Sequence, residues 1–163
     1  MFKAGIITCS DKASIGDRID TSGEYIEIYL KSIGFDVERN IISDDLSAIE
    51  NKLLYFADEE KVDLILTTGG TGFSPRDNTP EATKNVILRE VPGISEMLRA
   101  ESFKKTPKAY LSRGVSGIRN RTLIINLPGS PKAVKEYLEL LDNVFDHGLK
   151  ILKNIDVECG EDL

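Results

Sequence analysis

The sequence predicts a single three-layer α/β/α domain built on a mostly parallel sheet. Short β-branched apolar runs alternate with amphipathic helical patterns along the chain, the order that winds strands into a parallel sheet with helices on both faces. Two of those runs, "VDLILTT" (62–68) and "RTLIINL" (121–127), are apolar without alternation, as strands buried on both faces are. Each opens directly into a glycine-containing loop, "GGTGFSPRD" and "PGSP", at the strand end where such sheets bind ligands.

The elements follow in order. "FKAGIITC" (2–9) reads as a first buried strand, and "SDKASIGDRIDTSG" (10–23), polar with two glycines, as a long loop of the kind that carries function. A helix comes next, with Ile26, Leu30 and Ile33 at i, i+4 and i+7, stopping at Gly34. "FDVERNII" (35–42) alternates like a strand, and "SDDL" caps a helix whose apolar stripe is Leu46, Ile49, Leu53 and Phe56. After the strand at 62–68, Thr79 is the expected N-cap and Pro80 the first helical residue. "PGISEMLRAESFKKT" (92–106) is amphipathic, and its Ile94, Met97, Leu98 and Phe103 suit either the core or a subunit contact. "AYLSRGVSGIRN" (109–120) reads as strand and turns. Ser130 and Pro131 cap and open a helix after the strand at 121–127, and "NVFDHGLKILKN" (143–154) extends it or forms a last one. The domain is expected to span residues 1–155, leaving 156–163 as a frayed acidic tail.

At 163 residues the chain fits one domain, able to bury about 70% of its unfolded surface. A net charge of −6 and a pI near 4.9 argue against nucleic acid or an anionic membrane as partner, since both require a basic face. An anionic small molecule remains compatible, because a few basic groups and backbone N–H donors can bind one locally. Two cysteines, Cys9 and Cys159, make neither a disulfide framework nor a zinc spacing and read as free thiols in a reducing compartment. The N-terminal apolar run is too short for a signal peptide, and no stretch approaches the ~20 residues of a membrane span, so a cytoplasmic location is expected. With a single histidine, His147, remote in sequence from both glycine loops, histidine-based catalysis is poorly supported.

Glycines at strand ends permit positive φ and close backbone approach. Successive N–H groups and a helix N-terminus can then face an anion, so the two loops read as a cradle for a nucleotide or a phosphorylated ligand. The pattern is neither a P-loop, lacking GxxxxGK[ST], nor a dinucleotide fingerprint, lacking the third glycine. Taken alone, either loop is equally a tight turn that needs glycine. Asp77 lies in the first loop, and Asp44 and Asp45 end the preceding strand. Carboxylates at neighbouring strand ends can hold one Mg²⁺ together with phosphates and water. One of Asp44 and Asp45 can cap the helix while the other faces the site. Arg76 suits either a phosphate or an ion pair with Asp77 or another acid.

"LTTGGTGFSPRDNTPEAT", "PGISEMLR", "LSRGVSGIRNRTLIINLPGSPKAVKE" and the early "SD…S.GDRIDTSG" resemble the molybdopterin adenylyltransferases, the MogA/MoaB family of bacteria and the related G domains of gephyrin and its plant counterpart. The likeness runs from about Ile6 to the helix after Pro131. It implies the MogA-like α/β fold, a homotrimer, and Mg²⁺-dependent transfer of AMP from ATP to the terminal phosphate of molybdopterin, with release of pyrophosphate. Transient contact with other molybdenum-cofactor biosynthesis proteins is implied as well, because no molybdate-inserting domain is fused. By motif, Asp44 and Asp77 correspond to the catalytic, metal-associated acids, with Asp45 the alternative to Asp44. Gly69, Gly70, Thr71, Gly72, Asn126, Pro128 and Gly129 correspond to the nucleotide pocket, and Ser10, Asp20, Ser22, Ser112 and Arg113 to molybdopterin contacts. The family also holds paralogues without turnover, which makes a molybdopterin carrier the alternative. Retention of Arg76 and Asp77 in "SPRDNTPEA" favours the enzyme.

Overall fold

The computed structural model describes residues 1–154, so the expectations for Cys159 and the acidic tail lie outside them. Strands β1 (Lys3–Cys9), β2 (Asp36–Ile42), β3 (Leu64–Thr68), β4 (Arg89–Glu90), β5 (Ser116–Arg119) and β6 (Thr122–Leu127) form one sheet in the order β2-β1-β3-β6-β5-β4. The first four are mutually parallel, and β5 and β4 continue antiparallel. Leu64, Ile65 and Leu66 are all fully buried, which is what the unbroken apolar run of β3 requires.

Seven helical segments surround the sheet among the described residues. They are α1 (Asp11–Ser14), α2 (Thr21–Ser32), α3 (Leu46–Leu54) widening into a π turn (Tyr55–Glu59), α4 (Thr79–Val86), α5 (Pro92–Phe103), a 3₁₀ turn (Pro107–Leu111) and α6 (Pro131–Leu152). On one face, Ile26 and Leu30 of α2, Leu98 of α5 and Val134, Leu138, Leu141 and Phe145 of α6 pack on Ile6, Leu64, Leu66 and Ile125. On the other, Ile49 and Leu53 of α3, Phe56 of the π turn, and Ala82 and Val86 of α4 pack on Ile7, Ile65 and Ile124. Alternate side chains of each strand therefore serve opposite layers.

Local chemistry accounts for the departures from the sequence reading. The expected loop at 10–23 contains α1 and the start of α2, because Ser10 accepts from the N–H of Ala13 and Asp20 from that of Gly23, each a side-chain cap. Ile33 falls beyond the last turn of α2 and is 42% exposed rather than core. Asn78, not Thr79, occupies the N-cap of α4; the Thr79 hydroxyl instead donates to the carbonyl of Gly69. Ser130 caps α6 as expected, and "NVFDHGLKILKN" continues that same helix. His147 is exposed on it. Leu98 is core, whereas Phe103 is 45% exposed and packs against Tyr110 with the rings tilted, 4.6 Å between centroids.

Candidate active site

The chain leaves β1 through α2 to reach β2 on one side, then returns through α3 to place β3 on the other side of β1. The crossovers part at the carboxyl ends of β1 and β3, the switch point at which open α/β sheets form a crevice. A cleft of about 450 Å³ opens there. Its floor is the β3 turn, where Gly69 and Gly70 take φ of +91° and +65°. A Cβ on Gly69 would overlap the carbonyl of Cys9, and one on Gly70 the Thr79 hydroxyl, so both positions need glycine for space as well as conformation. The second glycine loop abuts the first: Gly69 N donates to Leu127 O at 3.3 Å, and Thr68 Oγ1 to Pro128 O at 2.7 Å.

The structure separates Asp44 from Asp45. Asp45 is exposed and caps α3, accepting from the N–H of Ala48 at 2.9 Å. Asp44 lines the cleft together with Asp77. Its Oδ2 accepts from Asp11 N at 2.8 Å, its own N–H donates to Asp11 Oδ1 at 3.0 Å, and its carbonyl accepts from Asn78 Nδ2 at 2.9 Å. Burial, with the negative charges of Asp11 and Asp77, pushes the Asp44 carboxyl above the usual aspartate value, against the lowering effect of the Asp11 N–H. Asp77 Oδ2 accepts from Ser74 N at 3.0 Å, closing the tip of the "SPRD" turn. Arg76 pairs with neither Asp77 nor Asp44. It forks onto Asp11, with Nε at 3.0 Å from Oδ2 and Nη2 at 2.8 Å from Oδ1, and that guanidinium is the largest cause holding the Asp11 carboxyl below its usual value.

The other sequence-derived residues divide among three places. Ser10, Asp20, Ser22, Gly69, Gly70 and Gly129 border the same cleft as the two acids. Asp20 is committed within the fold: only 3% of its side chain is exposed, and it accepts from Thr8 Oγ1, Gly23 N and Arg39 Nη1. Ser22 Oγ donates to Gly129 O at 2.8 Å and so ties α2 to the second glycine loop. Thr71, Gly72, Pro128 and Ser112 line a second cleft of about 410 Å³, closed by Ser102 and Tyr137. The glycine turn is thus a wall shared by two clefts.

Asn126 and Arg113 reach neither cleft, and the reason is visible in their bonds. Asn126 is buried beneath the turn, donating to Thr67 Oγ1 and Thr83 Oγ1 and accepting from Val115 N. Arg113 clasps the "GFSPRD" loop from behind: it donates to the carbonyls of Gly72 and Asp77, each at 2.7 Å, and pairs with Glu81. Through these bonds both hold the loop in shape. Cys9, a free thiol as the sequence suggested, is buried, and that burial pushes its thiol up to about 12, leaving it protonated and inert at neutral pH.

Sequence reasoning missed Asp11 and Asn78, which fix Asp44, and gave Thr79 a cap role where it instead holds Gly69. Asp11 stood beside Ser10 at the end of the first strand, a position that was a usable signal. Nothing local announced Asn78 or the Arg39–Asp20 pair, whose members lie 19 residues apart.

Glycine-walled clefts and acids at the switch point of a parallel sheet define an α/β domain suited to phosphorylated ligands. Comparison with known proteins narrows the class. Residues 5–147 match a family described as "Probable molybdopterin binding domain", and the chain belongs to that family. It is 46% identical over 140 residues to the molybdopterin adenylyltransferase of Helicobacter pylori, covering 83% of this chain and 78% of that one. Over 155 residues it is 42% identical to the Escherichia coli molybdopterin adenylyltransferase, covering 91% and 80%. The crystal structure of the molybdopterin biosynthesis enzyme MoaB from Thermus thermophilus superposes with a TM-score of 0.89 at 48% identity, over 94% of this chain and 98% of that one.

Proposed function

We propose that the chain is a molybdopterin adenylyltransferase of molybdenum cofactor biosynthesis, with ATP and molybdopterin as its substrates. The observation that carries this reading is the shared wall: two clefts back to back on one glycine turn, with Asp44 and Asp77 lining the first of them. The identities with enzymes of that name, across most of the chain, support it.

The reaction joins two polyanions. A terminal phosphate oxygen of molybdopterin attacks the α-phosphorus of ATP, the bond from that phosphorus to the α,β-bridging oxygen breaks, and pyrophosphate leaves. The attacking oxygen is already ionised at neutral pH, so alignment and charge neutralisation do the work, and no strong base is needed. Backbone N–H groups of residues 70–72 and the N-terminus of α6 supply fixed positive potential at the wall. Thr68 and Ser22, each bonded to the second glycine loop, hold its carbonyls in place.

Asp44 and Asp77 fit Mg²⁺. The ion uses one or two carboxylates with substrate phosphates and water rather than an all-protein cage, and these two acids line one cleft. When bound there, Mg²⁺ would screen the phosphates and favour departure of pyrophosphate. Asp44 Oδ2 accepts the N–H of Asp11, while Oδ1, beside Gly70, would be the freer oxygen to offer an ion. A homotrimer in the cytoplasm, in transient contact with the other proteins of the pathway, completes the proposal. The exposed Phe103, Tyr110 and Leu111 form an apolar patch suited to subunit contact. None of the described helices is long and apolar enough to cross a membrane.

The test is product formation. Incubation with ATP, Mg²⁺ and molybdopterin should yield adenylyl-molybdopterin, identified by mass spectrometry. Tight molybdopterin binding without that product would favour the carrier.

A further inference from the structure

We infer that Asp11 is a positioning residue for Asp44, and that Arg76 serves as the counter-ion of Asp11. The inference deepens the adenylyl-transfer reading and rests on it. Four observations carry it. First, the two aspartates exchange backbone-to-carboxylate hydrogen bonds in both directions, Asp11 N to Asp44 Oδ2 at 2.8 Å and Asp44 N to Asp11 Oδ1 at 3.0 Å. This reciprocal pair links the ends of β1 and β2 and fixes both the backbone and the side chain of Asp44. Second, Asn78 Nδ2 holds the Asp44 carbonyl from the opposite side, at 2.9 Å. Third, the anchoring is one-sided: Oδ2 of Asp44 is pinned, while Oδ1 lies 3.3 Å from where a Cβ on Gly70 would stand. Asp44 is thereby presented to the cleft through a single oriented oxygen.

The fourth observation concerns charge. Holding two carboxylates this close is unfavourable unless a cation offsets them. Arg76 does so with a two-pronged ion pair that occupies both oxygens of Asp11. Both Asp11 oxygens are therefore already engaged, by Arg76 and by the N–H of Asp44. Asp11 acts on an ion only through Asp44, in the way that groups behind a metal's direct ligands orient those ligands. The same ion pair fastens the "SPRD" turn to α1, so the two acids that face the cleft, Asp44 and Asp77, are referenced to one another through Asp11 and Arg76.

The test reads metal binding instead of turnover. Mn²⁺, a paramagnetic substitute for Mg²⁺, is titrated into the full-length protein with a non-hydrolysable ATP analogue, and unbound Mn²⁺ is measured by electron paramagnetic resonance. Asp11→Ala should weaken Mn²⁺ binding by about tenfold or more, the range found when groups behind a metal ligand are removed. Asp11→Asn keeps an oxygen to accept the Asp44 N–H and should stay within about threefold of wild type, a rescue that a merely charged role would not give. Wild-type affinity in Asp11→Ala, or equal loss in both variants, overturns the inference while leaving the metal reading intact. Absence of nucleotide-dependent Mn²⁺ uptake in the wild type removes the metal reading itself, and the inference with it. If Asp11→Ala does not fold, Asn78→Ala removes a different anchor of Asp44. A severalfold loss there supports the inference, and unchanged affinity overturns it.

Discussion

The two ends of the sheet are built from similar parts and do different things. At the amino ends of the strands the helices finish. Lys61 and Asn154 take φ of 51° and 53° just past the π turn and α6, the left-handed conformation that closes helix C-termini. Lys61 and Lys153 lie where helix dipoles favour cations. Two acids there are paired: Asp58 with Arg119 and Asn120, and Asp63 with Lys153 and the N–H of Lys3. A hollow of about 790 Å³ lies at this end, larger than the cleft at the other. At the carboxyl ends the helices begin, and Asp20 and Asp45 are used as caps. Asp44 and Asp77 are not. Of the arginines near these acids, Arg76 pairs with Asp11 and with neither of them, while Arg18 lines the same cleft. The difference teaches that cavity size is a poor guide here. At one pole Asp58 and Asp63 are settled by ion pairs within the fold, and at the other Asp44 and Asp77 take part in no ion pair among the described residues.

Substitutions can break or sharpen that contrast. The largest effect is expected from Asp44→Asn, which should lower adenylyl transfer by about a hundredfold or more while leaving the melting temperature little changed. Asp45→Asn should have almost none, because asparagine caps a helix as well as aspartate does. Equal losses in the two variants would erase the distinction drawn between them. Next comes Gly70→Ala, which should cost about 1–3 kcal/mol in urea unfolding, since φ there is +65° and the new methyl meets Thr79. At the opposite pole, Asp58→Ala removes the partner of Arg119 and should cost about 1 kcal/mol or less with turnover unchanged. A fall in turnover would show that the two ends are coupled.

The smallest effect is one of pH. Arg113 holds the Glu81 carboxyl below its ordinary value of 4.5. A carboxylate lowered on folding stabilises the native state above the unfolded value, and that contribution fades as pH falls through the folded one. The pair is solvent-screened, so its worth is about 0.5 kcal/mol. Wild type should therefore exceed Glu81→Gln in stability by about that much at pH 7, with the gap closing under acid conditions below 4.5. A gap that widens on acidification would reverse the assignment.

The strands and the α/β class were legible because burial on two faces leaves an unbroken apolar run, as in "LILTT", and no local alternative competes. The segment at 10–23 was misread because its helix signals are side-chain caps, Ser10 and Asp20, that look like loop polarity until their N–H partners are placed. At the site, the glycine turn and the acids at the strand ends were readable from position alone. Which of Asp44 and Asp45 faces the cleft was not, because that depends on the bonds of Asp44 to Asp11 and Asn78, over 30 residues away in sequence. Asn126 and Arg113 show the converse. Their motifs are as prominent as any, yet their polar groups are taken up inside the protein.

The most direct test of the central claim is pyrophosphate release from ATP and Mg²⁺, with and without molybdopterin, by wild type and Asp77→Asn side by side. The account predicts molybdopterin-dependent release by the wild type and its collapse, by about a hundredfold or more, in the variant. Full release by Asp77→Asn would contradict it.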